Sequence, residues 1–228
     1  AQLVLAYGNS HRDRLAARFD FDAAEPAAEI NWDIPPDDPT PSFLHIHRAD
    51  AVSKDLRDEI ELELTSPTGQ RFCVIPPPEA SGDLTSSTAT TDQHVGRIYP
   101  DAREGTARII VALAPTTLTT GDGLVAEEGS WRVQIRSRCV DSLSVVLQVQ
   151  RDDTAAGFAR GGRQSVLDHP NGDALDDLTQ EYEMPDGGPG LTRKGTNSAI
   201  MAKAGEAIHL AGSIEPDPTV AAEAVRSC

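Results

Sequence analysis

From Leu15 to Val149, apolar residues recur at every second position rather than every third or fourth. Leu15, Ala17, Phe19 and Phe21 alternate with Ala16, Arg18 and Asp20, and Ile60, Leu62 and Leu64 alternate with Glu59, Glu61 and Glu63. Trp131, Val133 and Ile135 alternate with Arg132, Gln134 and Arg136, while Leu143, Val145, Leu147 and Val149 line one face of a further segment. Successive side chains of a strand point to opposite faces, so a period of two gives each strand one apolar and one solvated side. Antiparallel sheets stacked face to face satisfy that pattern. Further strands are expected at 43–47, 71–75, 94–99 and 108–114. Turn chemistry separates them: Ser66-Pro67-Thr68-Gly69, Pro76-Pro77-Pro78 and Gly121-Asp122-Gly123. The expected class is mainly β, with a jelly-roll-like antiparallel β-sandwich over residues 11–150.

The flanks read differently. Leu3-Val4-Leu5-Ala6-Tyr7-Gly8-Asn9 is an apolar strand-like run ending in Gly-Asn. Near the other end, Thr196 is suited to cap a helix over 196–204, and Gly205 suits its left-handed exit. Ala207-Ile208-His209-Leu210-Ala211-Gly212 then reads as a second buried strand. Residues 151–190, rich in Gly, Asp and Pro, read as a connector over the surface. The expected organisation is therefore a core piece at 1–10, the sandwich at 11–150, the connector at 151–190 and a second core piece at 191–228. The sandwich would be inserted between two pieces of an α/β host. No initiator Met is present, and the expectation is an interior portion of a longer chain.

A net charge of −16, from 36 acidic and 20 basic residues, repels phosphate backbones and anionic membranes. Neither nucleic acid nor membrane is expected as a partner. No apolar stretch approaches the ~20 residues of a membrane span. Cys73, Cys139 and Cys228 lack the spacing of a zinc site; the first two either bridge or remain buried thiols. Asp37-Asp38, Asp152-Asp153, and Asp173 with Asp176-Asp177 are acidic clusters that could hold calcium or simply be hydrated loops. His45 and His47 share a strand face without a further ligand at obvious spacing, and His11, His94, His169 and His209 are isolated. Trp32 and Trp131 could form a sugar platform, but Trp131 alternates inward with Val133 and Ile135 and belongs in a core.

Ala6-Tyr7-Gly8-Asn9 resembles the Ala-x-Gly-Asn segment of subtilisin-like serine proteases, which supplies an oxyanion-hole Asn. Residues 205–213 are similar to the strand that follows it in the core of that family. Thr192-Arg193-Lys194-Gly195-Thr196-Asn197-Ser198-Ala199 resembles the Arg-x-Gly-Thr-x-Asn-Ala helix start of some large bacterial members. Arg151-Asp152-Asp153-Thr154 and Gly161-Gly162-Arg163-Gln164-Ser165 resemble the segment that follows their insertion. Leu64-Thr65-Ser66-Pro67-Thr68-Gly69 and Gly129-Ser130-Trp131-Arg132-Val133 are similar to jelly-roll modules of bacterial proteases. The order of these matches, spanning nearly the whole chain, is more specific than any one of them.

The resemblance implies a serine endopeptidase that works through an acyl-enzyme, with Asn9 donating a neutral amide hydrogen bond to the developing oxyanion. Gly-Asn is also a common strand-ending turn, so the residue pair alone leaves both roles open. In the family's nucleophile motif, Gly-Thr-Ser-x-Ala-x-Pro, the serine's place is taken here by Asn197, no Pro follows, and Ser198 is a polar residue of a helical first turn. The triad Asp and His would precede Ala1 and the Ser would follow Cys228. One oxyanion donor cannot replace a missing nucleophile and base, so the chain alone is expected to be inactive. The implied partners are the remainder of the protease chain and a polypeptide substrate, and the implied location is secreted or cell-envelope. The resemblance implies no certain cofactor, and the acidic clusters leave calcium open. The competing expectation is a non-catalytic β-sandwich module that binds carbohydrate or protein.

Overall fold

The alternation at period two becomes two stacked sheets in a computed structural model of the chain, which describes residues 3–6, 14–49, 56–74, 82–87, 92–103, 106–118, 123, 125–139, 142–152, 161–168, 175–176, 181–182, 190–191 and 208–211. The elements are β1 (Leu3–Ala6), β2 (Ala16–Phe21), β3 (Ala27–Ile34), β4 (Ser42–Arg48), a single helical turn α1 (Leu56–Glu59), β5 (Ile60–Thr65), β6 (Arg71–Val74), β7 (Gly82–Ser87) and β8 (Asp92–Arg103). They continue as β9 (Thr106–Leu113), β10 (Gly129–Ser137), β11 (Leu143–Val149), β12 (Val166–Asp168), β13 (Leu175–Asp176), β14 (Glu181–Tyr182), β15 (Gly190–Leu191) and β16 (Ile208–Ala211).

One sheet runs β12-β3-β10-β5-β6 and the other β15-β2-β11-β4-β9-β8-β7, antiparallel throughout. From β2 to β5 successive strands alternate between the two sheets, so the chain crosses the sandwich at each step. That wrapping is the jelly-roll-like sandwich expected from the sequence. The inward residues of both sheets form one core, with Trp32, Trp131, Val133, Leu44, Ile46, Val145 and Leu147 almost fully buried. Trp32 and Trp131 are direct cross-strand partners, and Phe72 stacks on Trp131 at 5.8 Å between ring centroids. Both indole N–H groups are satisfied, Trp131 by the Glu127 carbonyl at 2.9 Å and Trp32 by Ser165 Oγ at 3.1 Å. Trp32 therefore joins Trp131 in the core, and no sugar platform is formed from the two.

The Ser66-Pro67-Thr68-Gly69 turn closes the β5–β6 hairpin, with Gly69 N–H donating to the Ser66 carbonyl at 2.9 Å. Gly69 has φ +89°, a conformation that suits glycine at this position. Strand β3 is an addition to the expected elements, although Ile30, Trp32 and Ile34 alternate with Asn31 and Asp33. Pro26 and Pro35-Pro36 bracket that short run and obscure it. Strand β12, within residues 151–190, pairs with β3 at the edge of the five-stranded sheet, and β15 pairs with β2. The helix expected at 196–204 lies outside the described residues.

The terminal strands form a separate pair. β1 and β16 run parallel, with Leu3 opposite Ile208 and Ala6 opposite Ala211. Parallel strands need a long crossover, and here the crossover contains the whole sandwich.

Arg48 and Glu59 form an ion pair at one end of the core, their side chains 10% and 9% exposed. Removing one partner of so buried a pair costs about 3–5 kcal/mol, whereas replacing both by apolar groups is often nearly neutral. Urea titration of Arg48→Met is expected to show a loss in that range. The double variant Arg48→Met/Glu59→Leu should be more stable than the single one; a greater loss in the double variant would contradict this account of the pair.

Candidate functional site

Parallel pairing brings the carboxyl ends of β1 and β16 to the same side, Ala6 beside Ala211. Ligands of open α/β sheets bind beyond the carboxyl ends of parallel strands. Asn9 follows Ala6 by three positions and lies outside the described residues, as do His11, Asn197, Ser198 and His169. His209 sits in β16, its backbone opposite Val4. The structure thus brings together the two segments expected to frame the site, and it describes the strand that leads to the proposed amide.

A second constellation lies at one end of the sandwich, where loops of three different regions meet on Asp38. This residue is 1% exposed. Asp37, with φ +52°, turns the loop ahead of it, a conformation that Asp tolerates better than most residues. The Asp38 carbonyl accepts from Thr116 N–H at 2.9 Å and Thr117 N–H at 3.2 Å, and its own N–H donates to Thr116 Oγ1 at 2.8 Å. Its Oδ1 accepts from Thr40 N–H at 3.0 Å, the Thr40 hydroxyl at 2.8 Å and Arg163 N–H at 3.1 Å. Thr40 Oγ1 is also 2.9 Å from Asp152 Oδ2. Two of the acidic clusters seen in the sequence therefore converge, although Thr40 and Asp152 are 112 positions apart. No spacing rule could have paired them.

Gln164 continues the seam: its Oε1 accepts from Asp152 N–H at 3.0 Å, and its Nε2 donates to the carbonyls of Gln150 and Ser165 at 3.2 and 2.8 Å. A Cβ at Gly162 would meet the Asp152 carboxylate, so a side chain there requires that carboxylate to swing away from Thr40. Thr40, Ser42, Gln150, Asp152, Arg163 and Gln164 are among the residues around a cavity of about 130 Å³.

The two outer faces differ in chemistry. On the five-stranded sheet, Arg71 pairs with Glu63 at 2.6 Å, Arg132 with Glu29 at 3.2 Å, and Gln134 donates to Glu29 at 2.5 Å. On the seven-stranded sheet, Phe43, His45, His47, Ile110 and Val146 are half-buried, and a shallow trough runs past Pro41, Phe43, Tyr99, Ala112 and Leu118. Burial pushes the His47 imidazole below its usual value of 6.5, and charge on His45 and Arg108 acts in the same direction. Among the described residues no group of three or more His, Cys, Asp or Glu is arranged to hold a metal, so His45 and His47 stay without a third such ligand there. Cys139 carries a thiol, its Sγ 3.9 Å from the Glu59 carbonyl oxygen, and does not bridge to Cys73.

No protein-family model matches the chain. No curated protein matches it either. Among solved structures, the chain is similar to the CspB protease of Clostridium perfringens, at 14% identity and a TM-score of 0.46, over 72% of this chain and 29% of that one. The chain thus spans less than a third of that protease, and the likeness is a distant one that assigns no family.

A histidine held below its unfolded value binds fewer protons when folded than when unfolded, so its contribution weakens as pH falls through 6.5 toward the folded value. The loss of melting temperature between pH 7.5 and 5 (about 1 unit above and about 1.5 below the free imidazole) is therefore expected to be smaller in His47→Gln. An equal or steeper loss in that variant would show that His47 does not titrate as described.

Proposed function

We propose that this chain is part of a subtilisin-like serine endopeptidase and contributes Asn9 as an oxyanion donor. The observation that carries the reading is the parallel pairing of β1 with β16. A strand leading to Gly-Asn lies beside a late apolar strand, with a jelly roll folded between them. The Ala6-Tyr7-Gly8-Asn9 resemblance and the order of the downstream motifs support it further.

In the proposed mechanism a serine attacks the scissile carbonyl, and negative charge collects on its oxygen in the tetrahedral transition state. The Asn9 Nδ2–H₂ would meet that oxygen as a preoriented neutral donor, stabilising the charge without a proton transfer. The triad Asp, His and Ser would come from segments other than residues 1–228. The substrate would be a polypeptide and the location secreted or cell-envelope. The sandwich, which begins only a few residues after Asn9, would border the cleft and restrict or recruit substrates.

In the complete enzyme, Asn9→Ala is expected to lower kcat by about 10²–10³-fold with little change in KM, the loss that follows removal of one oxyanion donor. Unchanged kcat would refute the assignment. Purified residues 1–228 should show no serine-reagent-sensitive hydrolysis, and any such activity would mean the nucleophile lies within them. Deleting residues 20–150 from the complete enzyme should alter the ratio of activity on folded proteins to that on short peptides.

The second reading, a non-catalytic module for carbohydrate or protein, is favoured by the trough beside Phe43, Tyr99 and Leu118. The flanking reading frame separates the two. An upstream Asp and His with a downstream Gly-Thr-Ser-x-Ala-x-Pro supports the protease; their absence supports the module.

A further inference from the structure

We propose that the outer face of the five-stranded sheet binds a neutral oligosaccharide, in a groove between the β5–β6 hairpin and the side chains of β3 and β10. The inference rests on the sandwich being a binding module, names its ligand class and its face, and holds whether or not the chain belongs to a protease. The groove, about 660 Å³, lies within the range of small-molecule sites. Two cross-strand rows of side chains make its floor. In the first, Asn31, Arg132, Thr65 and Arg71 stand side by side on β3, β10, β5 and β6. In the second, Gln134 stands between Glu29 and Glu63. The rows are two residues, about 7 Å, apart, and the first spans three strand spacings, about 14 Å.

The groove is held in shape before any ligand arrives. Its wall is the 66–69 turn, pinned where Thr68 N–H and the Thr68 hydroxyl donate to the Glu127 carboxylate at 3.1 and 2.9 Å. Gly129, with φ +113°, lets the start of β10 run against Pro67 of that turn. On the floor, the Arg71 guanidinium meets Glu63 as a fork, Nε to Oε1 at 2.7 Å and Nη2 to Oε2 at 2.6 Å. Glu29 orients two neighbours, accepting from Arg132 Nε at 3.2 Å and Gln134 Nε2 at 2.5 Å. A guanidinium has five donors and a carboxylate about four lone-pair sites, so these contacts fix the planes and leave capacity for a ligand.

The chemistry of the floor selects the ligand. Arg71 and Arg132 are matched by Glu63 and Glu29, so the local charge cancels and favours neither an anion nor a cation. A polypeptide recognised through its backbone needs a sheet edge, and β3, β10 and β5 are each paired on both sides. A polypeptide recognised through apolar anchors needs a pocket for them. Among the described residues no aromatic side chain lines the groove, because Trp32, Trp131 and Phe72 of the same strands point into the core. What remains is an uncharged molecule dense in donors and acceptors. Neighbouring hydroxyls of a sugar can bridge the paired atoms of a guanidinium, a carboxylate or an amide, and the shorter Asn31, Thr65 and Ser130 stand beside these groups.

The test titrates chain 1–228 in a calorimeter with neutral tetrasaccharides of glucose, mannose, galactose, xylose and N-acetylglucosamine. At least one is expected to bind saturably. Arg132→Ala and Arg71→Ala should each weaken that binding about tenfold, as loss of a hydrogen bond from a charged donor does. Both side chains are more than half exposed, 55% and 69%, so the variants keep the core, which circular dichroism checks. Tyr99→Ala, in the trough of the other sheet, should leave binding unchanged. Absence of saturable binding by any of the sugars overturns the proposal and leaves the module reading to a protein partner. Binding that survives both arginine variants but is lost in Tyr99→Ala also overturns it, and moves the sugar to the trough with the module reading intact.

Discussion

Burial of one face from each of two antiparallel sheets is the constraint from which the rest of this structure follows. Trp32 and Trp131 sit opposite each other on β3 and β10, with Phe72 stacked on Trp131 and the aliphatic residues of β4, β5 and β11 in the same core. Strand register is not free under that constraint. A slip of one residue on β10 would turn Trp131, Val133 and Ile135 to solvent and bring Arg132 and Gln134 inward. The same constraint fixes where polar groups can go. The indoles need acceptors, and they find them in the Glu127 carbonyl and Ser165 Oγ, so core packing reaches out to loops distant in sequence.

Those loops are closed by polar contacts rather than by apolar ones. Asp38 gathers Thr40, Thr116 and Arg163, while Arg48 and Glu59 pair at an end of the core. Buried polar groups of this kind add little net stability when satisfied and cost much when one partner is lost. Their effect is to hold particular segments together. Through Asp38 and Gln164, residues 161–165 are tied to the sandwich before β12 joins the edge of β3.

The parallel β1–β16 pair gives the jelly roll a defined setting. The sandwich strand that follows β1 is β2, and the one that precedes β16 is β15, its neighbour in the seven-stranded sheet. Entry and exit are therefore adjacent, as they must be if an insertion is to leave the pairing of its host strands undisturbed. In the proposed peptidase this would place the sandwich next to the strand that carries the oxyanion donor.

Much of this is legible in the primary structure because it rests on local alternation. The inward positions of Phe19, Leu62, Leu64, Trp131, Val133, Val145 and Leu147 follow from period two, and the Ser66–Gly69 hairpin follows from turn chemistry. The two terminal strands can also be read from their short apolar runs. Strand β3 is hidden by bracketing prolines, and β7, written Gly-Asp-Leu-Thr-Ser-Ser, has too little alternation to announce itself. What only the tertiary structure decided is which distant residues meet: Thr40 with Asp152, Asp38 with Arg163, Arg48 with Glu59, and Trp32 with Ser165. The physical reason is that periodicity specifies which side of a strand is buried, a property of neighbours in the chain. Partner choice among loops and edges depends on how the sheets wrap, and on charges that find each other only after the core has formed.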